Sequence, residues 1–413
     1  MDLTPHTILK RAPNLKVQFL YDDSTTIFNH HGWIKCKSHG LAILDVFANP
    51  IEICEGVKKL EALFADTTDR AQTLELIYDL YRGGFLLAAA EALASRADET
   101  KPTFSCFLHE QSSRLIPTGK VSQAFVDPRT LVVNKKIQIQ TERESSVRSD
   151  KVFPRCASFL TGYPLLWVEH PGTKVLAPFW LNDTYRRLIE ELLANRMSSS
   201  ELEPSVVSTL AAANVLVPTG YVASQTALWQ KNLTDSFTQL RSEQYAVLRN
   251  IIHPLQIAAL RKYFRTLDHK NFLMPDLQGG SLRYASHNEE VASFIHHQLT
   301  TLVQSVTREL IKPSYSFLSV YKSGSFLPKH ADRSQCAWNL SLLIDTDPET
   351  ALSDSWPIYL EVSGQKEIRL AMGDGLLYRG TDVPHWREAL CDGEMTTLIL
   401  CHFVRDNFEG DLN

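Results

Sequence analysis

Residues 327–345 read LPKHADRSQCAWNLSLLID, and residues 375–389 read GLLYRGTDVPHWREA. The first stretch carries His330 and Asp332 two positions apart, so along a strand both side chains leave the same face. The segments that follow, 338–344, 357–362 and 367–371, are short and rich in Leu, Ile, Val, Tyr and Trp. They predict antiparallel strands that fold back and bring His385 opposite the pair. Two imidazoles and one carboxylate are the ligand set of a mononuclear non-heme Fe(II) centre with open positions. Among 14 histidines about one chance His-x-Asp is expected, so the strand-rich surroundings and the distal His385-Trp386-Arg387 carry the reading. The competing reading is a β-sandwich whose histidines are merely satisfied core residues.

Outside the triad the spacing continues. Tyr321, Gly324, His330 and Asp332 fit a Tyr-x-x-Gly-x-x-x-x-x-His-x-Asp run, and Gly373, Asp374, Tyr378 and Gly380 form a turn leading to His385. In these motifs residues 245–410 resemble the 2-oxoglutarate/Fe(II)-dependent dioxygenases, in particular their prolyl-hydroxylase-like branch. The resemblance implies a C-terminal double-stranded β-helix, a jelly roll of the cupin-like kind. It implies Fe(II) held by His330, Asp332 and His385, with 2-oxoglutarate as cosubstrate, decarboxylated to succinate while an aliphatic C–H is hydroxylated. The chain departs from that branch at one point. Where a Lys or Arg is expected nine to twelve residues past the distal histidine, residues 394–397 are Glu-Met-Thr-Thr. The distal carboxylate of the cosubstrate still needs a cation, because a buried carboxylate must be paired. Arg387 is the first candidate, on the strand face of His385 and with a fork that suits a carboxylate. Arg379 and Lys329 come next. Tyr321 is expected to add a hydroxyl, with Asn339 a further candidate. Tyr315 and Trp386 are expected in the wall or core, and Asp374 as a cap for backbone amides.

The remainder bounds the answer. At 413 residues with 44% hydrophobic and 22% charged side chains, this is an ordinary globular composition for two or three domains. A net charge of −5 gives no general field for nucleic acid. No apolar run reaches a membrane span, no secretory h-region opens the chain, and seven scattered cysteines without a CxxC point to reduced thiols in a cytoplasmic protein. Cys336 reads as a small buried hydrophobe.

Taken in order, residues 15–36 alternate as a short meander, with turns at Asp22-Asp23-Ser24 and His30-His31-Gly32. Three helices follow, one capped by Ser38, one over 51–64 and one begun by Thr67 or Thr68, closing in Gly83-Gly84 and a short apolar strand. That order is winged-helix-like. It also resembles the peptide-chaperone, leader-recognition domains of peptide-modifying enzymes, which implies a leader peptide added at a sheet edge. Residues 153–218 read as a divergent second copy, with strands around Pro171-Gly172 and a helix capped by Asn182 or Asp183. Residues 88–97 read as a helix, 140–151 as a polar linker and 219–244 as a connection. His253 precedes Pro254 as a helix cap, and His296-His297, on an amphipathic helix over 288–310, as an exposed pair.

The fold expected is therefore α+β and multidomain: residues 1–95 and 153–220 as winged-helix-like α/β modules, 96–152 as a linker or extension with two strands over 120–140, and 221–413 as the jelly roll. The expected activity is hydroxylation of a peptide or amino-acid-derived substrate, with no nucleic-acid or membrane partner. Two alternatives stand beside it: a small-molecule hydroxylase whose modules build a homodimer, and a metabolite or metal sensor with a degenerate barrel.

Overall fold

The computed structural model describes residues 4, 6–11, 16–19, 25–29, 32–36, 38–63, 70–82, 85–88, 101–110, 115–120, 127–141, 159–160, 162, 164–278 and 281–412. They form two compact units, residues 1–101 with 267–276, and residues 102–266 with 277–413. The expected turns at 22–24 and 30–31, the Thr67 and Thr68 caps, Gly83-Gly84, most of the 88–97 helix and most of the 140–151 linker lie outside the described residues.

In the first unit the meander is present as Lys16–Phe19, Thr25–Asn29 and Gly32–Cys36. Helices Ser38–Val46, Ile53–Leu63 and Arg70–Arg82 follow. Residues 51–52 are not helical as expected. They form a strand that pairs with Ile8–Arg11, which pairs on its other edge with Leu86–Ala88. Leu9, Phe47, Val57, Leu60, Ile77 and Leu80 make the core. A Cβ on Gly56 would lie 2.4 Å from the Phe47 ring, so this helix contact requires the bare glycine.

The second unit opens with the sheet Ile137–Gln140, Leu165–Glu169 and Leu176–Trp180. Helix Asp183–Leu193 follows, its N-cap Asn182 accepting from the Tyr185 amide. Helix Pro204–Ala212 then leads to strand Leu216–Pro218, which pairs with Leu131–Val133. Leu176–Trp180 lies at the edge of this sheet, where Trp180 pairs with residues 106–108 and the rest of the outer edge leaves polar backbone to be satisfied. Two glutamines from barrel-side helices do part of this. Gln298 accepts from the Leu176 amide at 2.7 Å, and Gln256 donates to the Pro178 carbonyl at 2.8 Å. Residues 219–244 are not a connection: Tyr221–Glu243 is a helix of 23 residues. Its sequence hides it, because only Trp229, Ser236 and Leu240 are buried, too few to impose a clear 3.6-residue period.

Helix Pro254–His269 begins where His253 accepts from the Leu255 amide, the expected cap. Helix Glu290–Thr307 buries Val291, Phe294, Leu299, Leu302 and Val306. His296, expected exposed, is buried and donates its ring Nε2–H to the His402 carbonyl at 2.8 Å. Its position continues the apolar stripe, so the core claims it.

Eight strands then follow: β1 Ile311–Lys322, β2 Leu327–His330, β3 Trp338–Asp347, β4 Ile358–Glu361, β5 Gln365–Ile368, β6 Gly375–Tyr378, β7 His385–Arg387 and β8 Met395–Arg405. One sheet carries the adjacent strands β6-β3-β8-β1, the other β2-β7-β4-β5, all antiparallel. Alternation of the chain between two sheets in this order is that of a double-stranded β-helix, the jelly roll expected from the sequence. Tyr245–Leu248 extends the larger sheet beside β6, and Ser281–His287 extends it beside β1.

Candidate metal centre

β2 and β7 are neighbours, and His330 lies directly opposite His385 across them. Their rings are 4.4 Å apart. The chain turns after His330, and the Asp332 amide donates to the Gly380 carbonyl at 2.8 Å. That bond aims the carboxylate inward. His330 Nε2 lies 3.5 Å from one Asp332 oxygen, and His385 Nε2 lies 3.7 Å from the other. The three ligand atoms all fall within 4.8 Å of one another. Gly380 is required at this point: a Cβ there would stand 2.7 Å from the Asp332 carboxylate and 2.4 Å from the Cys336 carbonyl.

The donor chemistry fits a divalent metal. His330 Nδ1 faces the Pro328 carbonyl at 2.7 Å, and His385 Nδ1 faces the Val383 carbonyl at 3.0 Å. A carbonyl only accepts, so each Nδ1 carries the hydrogen and each Nε2 turns its lone pair to the centre. Hydrogen bonding of the protonated His330 ring to Asp332 raises its pKa against burial, whereas burial lowers that of His385. Burial pushes the Asp332 carboxyl up, but the His330 bond and the charges of His385 and His402 outweigh it and hold it below the usual carboxylate range. Among the described residues one other group could hold a metal, His6, Glu52 and Cys54, at the surface of the first unit.

The candidates for the cosubstrate separate. Arg387 is buried, 4% exposed, on the face of β7 that carries His385. It donates to the Trp356 carbonyl at 2.8 Å and lies 4.5 Å over the Trp356 ring. No ion pair to Arg387 occurs among the described residues, and burial pushes its pKa down to about 10. Tyr321 is buried beside it, its ring 5.1 Å from Trp356. Arg379 is placed elsewhere: it lies over Trp338 and pairs with Glu309 and Asp382. Lys329 pairs with Glu361 at the surface. Asn339 is at the site, but its amide group is taken by Asp332 and His402. Tyr315 is buried against the thiol of Cys336, 3.0 Å away, and Trp386 stacks on Tyr359. Asp374 accepts from the Asn250 and Ala371 amides, as expected of a cap.

Three residues at the site escaped the sequence reading. His402 is paired across β3 and β8 with Asn339, a register that no local pattern discloses. Trp356 lies in a loop. Arg283 is buried on Ser281–His287, within 3.3 Å of the Tyr321 hydroxyl. Its signal was available, a charged residue at an inward position of an alternating strand.

No family model and no curated protein matches this chain. Solved structures do. A Pseudomonas putida prolyl-4-hydroxylase is 14% identical, matching 42% of this chain and 100% of its own at a TM-score of 0.36. A Trichoplax adhaerens prolyl hydroxylase, in complex with a hypoxia inducible factor peptide fragment, is 13% identical over 44% and 94%, at 0.37. The epimerase SnoN from nogalamycin biosynthesis, in complex with Fe3+ and alpha ketoglutarate, is 7% identical over 43% and 84%, also at 0.37. At such identities and scores they add nothing to what the strand order and the side-chain geometry already say. Among the described residues no helix is long and apolar enough to cross a membrane.

Proposed function

We propose that the chain is a 2-oxoglutarate/Fe(II)-dependent dioxygenase that hydroxylates an aliphatic C–H bond of a peptide or amino-acid-derived substrate. The observation that carries this is the meeting of two Nε2 lone pairs and one carboxylate in a jelly roll, beside a buried arginine that donates to a backbone carbonyl and has no ion pair among the described residues. Fe(II) and 2-oxoglutarate are the cofactors. His330, Asp332 and His385 would hold the metal, which supplies the redox chemistry with oxygen. Arg387 receives the distal carboxylate of 2-oxoglutarate through a charge-assisted, two-pronged contact. Tyr321 lends a hydroxyl to the same carboxylate. The barrel walls fix these groups and exclude water from the reacting centre.

The modules at 1–95 and 153–220, read as winged-helix-like, take the substrate peptide or its leader by strand addition. The decisive experiment is anaerobic addition of Fe(II) and 2-oxoglutarate. A weak visible charge-transfer band is expected, absent in His330→Ala, together with succinate release under air. If no band forms and no succinate appears, the oxygenase reading is wrong. Deletion of residues 1–101 should weaken turnover of a peptide substrate while leaving that band intact.

A further inference from the structure

The hydrogen bonds at the candidate metal centre reach beyond the three ligand residues. Asn339 donates its amide Nδ2–H to the Asp332 oxygen Oδ2. An ionised carboxylate only accepts, so this contact fixes which way the Asn339 amide faces. Its Oδ1 is then left to accept, and it lies 2.6 Å from His402 Nδ1. His402 therefore carries its hydrogen on Nδ1. The backbone under His402 is held as well, since its carbonyl accepts from the buried His296 ring at 2.8 Å. Asn339, His402 and His296 are all buried. The Gly380 backbone closes the other side, where any Cβ would come within 2.5 Å of the Asn339 amide. The amide has little room to turn away on that side.

We propose that Asn339 and His402 are positioning residues for the metal, acting through Asp332. They occupy one carboxylate oxygen and so present the other, Oδ1, as a single-oxygen ligand. This rests on the metal reading given above. Oδ2 is engaged by a neutral amide whose own carbonyl is held by an imidazole, so the carboxylate is pinned in rotation without losing its charge. Supports of this kind around a metal ligand are worth about 10–100-fold in metal affinity.

The test uses the full chain and Mn(II) alone, titrated calorimetrically, with His330→Ala as the non-binding control. His402→Leu removes the donor to Asn339 and should weaken Mn(II) binding about 10–100-fold. His402→Asn places an amide N–H close to where Nδ1 stood, and should restore most of that affinity. Melting temperatures are measured on the same samples. If His402→Leu binds Mn(II) as the wild type does, the proposal is overturned. It is equally overturned if both variants lose affinity alike in step with their melting temperatures, since that is a packing defect. A wild-type chain that takes up no Mn(II) removes the metal reading itself, an outcome distinct from either.

Discussion

Two buried arginine environments in the second unit face opposite fates. On the helix Pro254–His269, Arg261 is 3% exposed and reaches Asp345 at 2.6 Å and Glu349 at 3.1 Å. Arg265 joins it on Asp345 at 2.6 Å. Inside the barrel, Arg387 is as deeply buried, yet it meets a carbonyl and an indole face. Removing a guanidinium from water costs several kcal/mol unless a charge compensates it. The first cluster supplies its own carboxylates and is complete. The second lacks one among the described residues, and its depressed pKa records the imbalance. The contrast separates a cation paired within the fold from one that, on the proposed function, would receive an anion.

The largest effect should fall on the completed cluster. Arg261→Met leaves Asp345 short of a partner in the interior and should cost about 3–5 kcal/mol of unfolding free energy, measured by urea denaturation. Binding of 2-oxoglutarate in the surviving folded fraction should not change. Arg387→Met should do the reverse. Its melting temperature should hold or rise, while 2-oxoglutarate affinity falls by about 1.5–3 kcal/mol, the worth of hydrogen bonds to a charged group. Should Arg387→Met unfold the protein and Arg261→Met spare it, the contrast is inverted and the anchor assignment fails.

Per group and per pH unit, a smaller effect concerns cations that the interior refuses altogether. Burial lowers the pKa of His170 to about 4 and of His253 to about 3, and that of buried His296 also falls well below its usual value. In the unfolded chain each titrates near 6.5. Below about pH 6.5 the unfolded state therefore takes up protons that the folded state declines. Stability should be flat from pH 8 to 7 and then fall toward pH 4, by about 1.4 kcal/mol per pH unit for each such histidine. Urea midpoints at pH 7.5, 6 and 5 check this, and His253→Gln should flatten the slope. Smallest is Tyr321→Phe, which removes one hydroxyl from the Arg387 side of the barrel. It should weaken 2-oxoglutarate by about 1 kcal/mol and leave Mn(II) binding unchanged.

The sequence disclosed what repeats locally. His-x-Asp on a strand, the Gly373-Asp374 turn and the amphipathic helix around Phe294 could be read from spacing, because period and turn chemistry are written residue by residue. What stayed hidden depends on register between distant strands. Asn339 was read as a cosubstrate contact because nothing local says that it faces His402. Arg379 and Arg387 look alike in one dimension, and only the packing sends one to Glu309 and the other inward. His296 looked exposed because a histidine pair reads as polar, although its position on the helix stripe said otherwise. The helix Tyr221–Glu243 was missed since its apolar stripe is nearly empty.

Gln298 and Gln256 hold the backbone of Leu176–Trp180 from outside its sheet. An attempt to isolate the barrel by starting the chain near residue 221 would strand both amides. It would also bare the apolar side of the two helices that present them, and the fragment should clump on expression. The smallest autonomous piece that keeps the barrel whole should begin near residue 102, so the strand-and-helix segment ahead of the barrel is part of its chassis and not a detachable attachment.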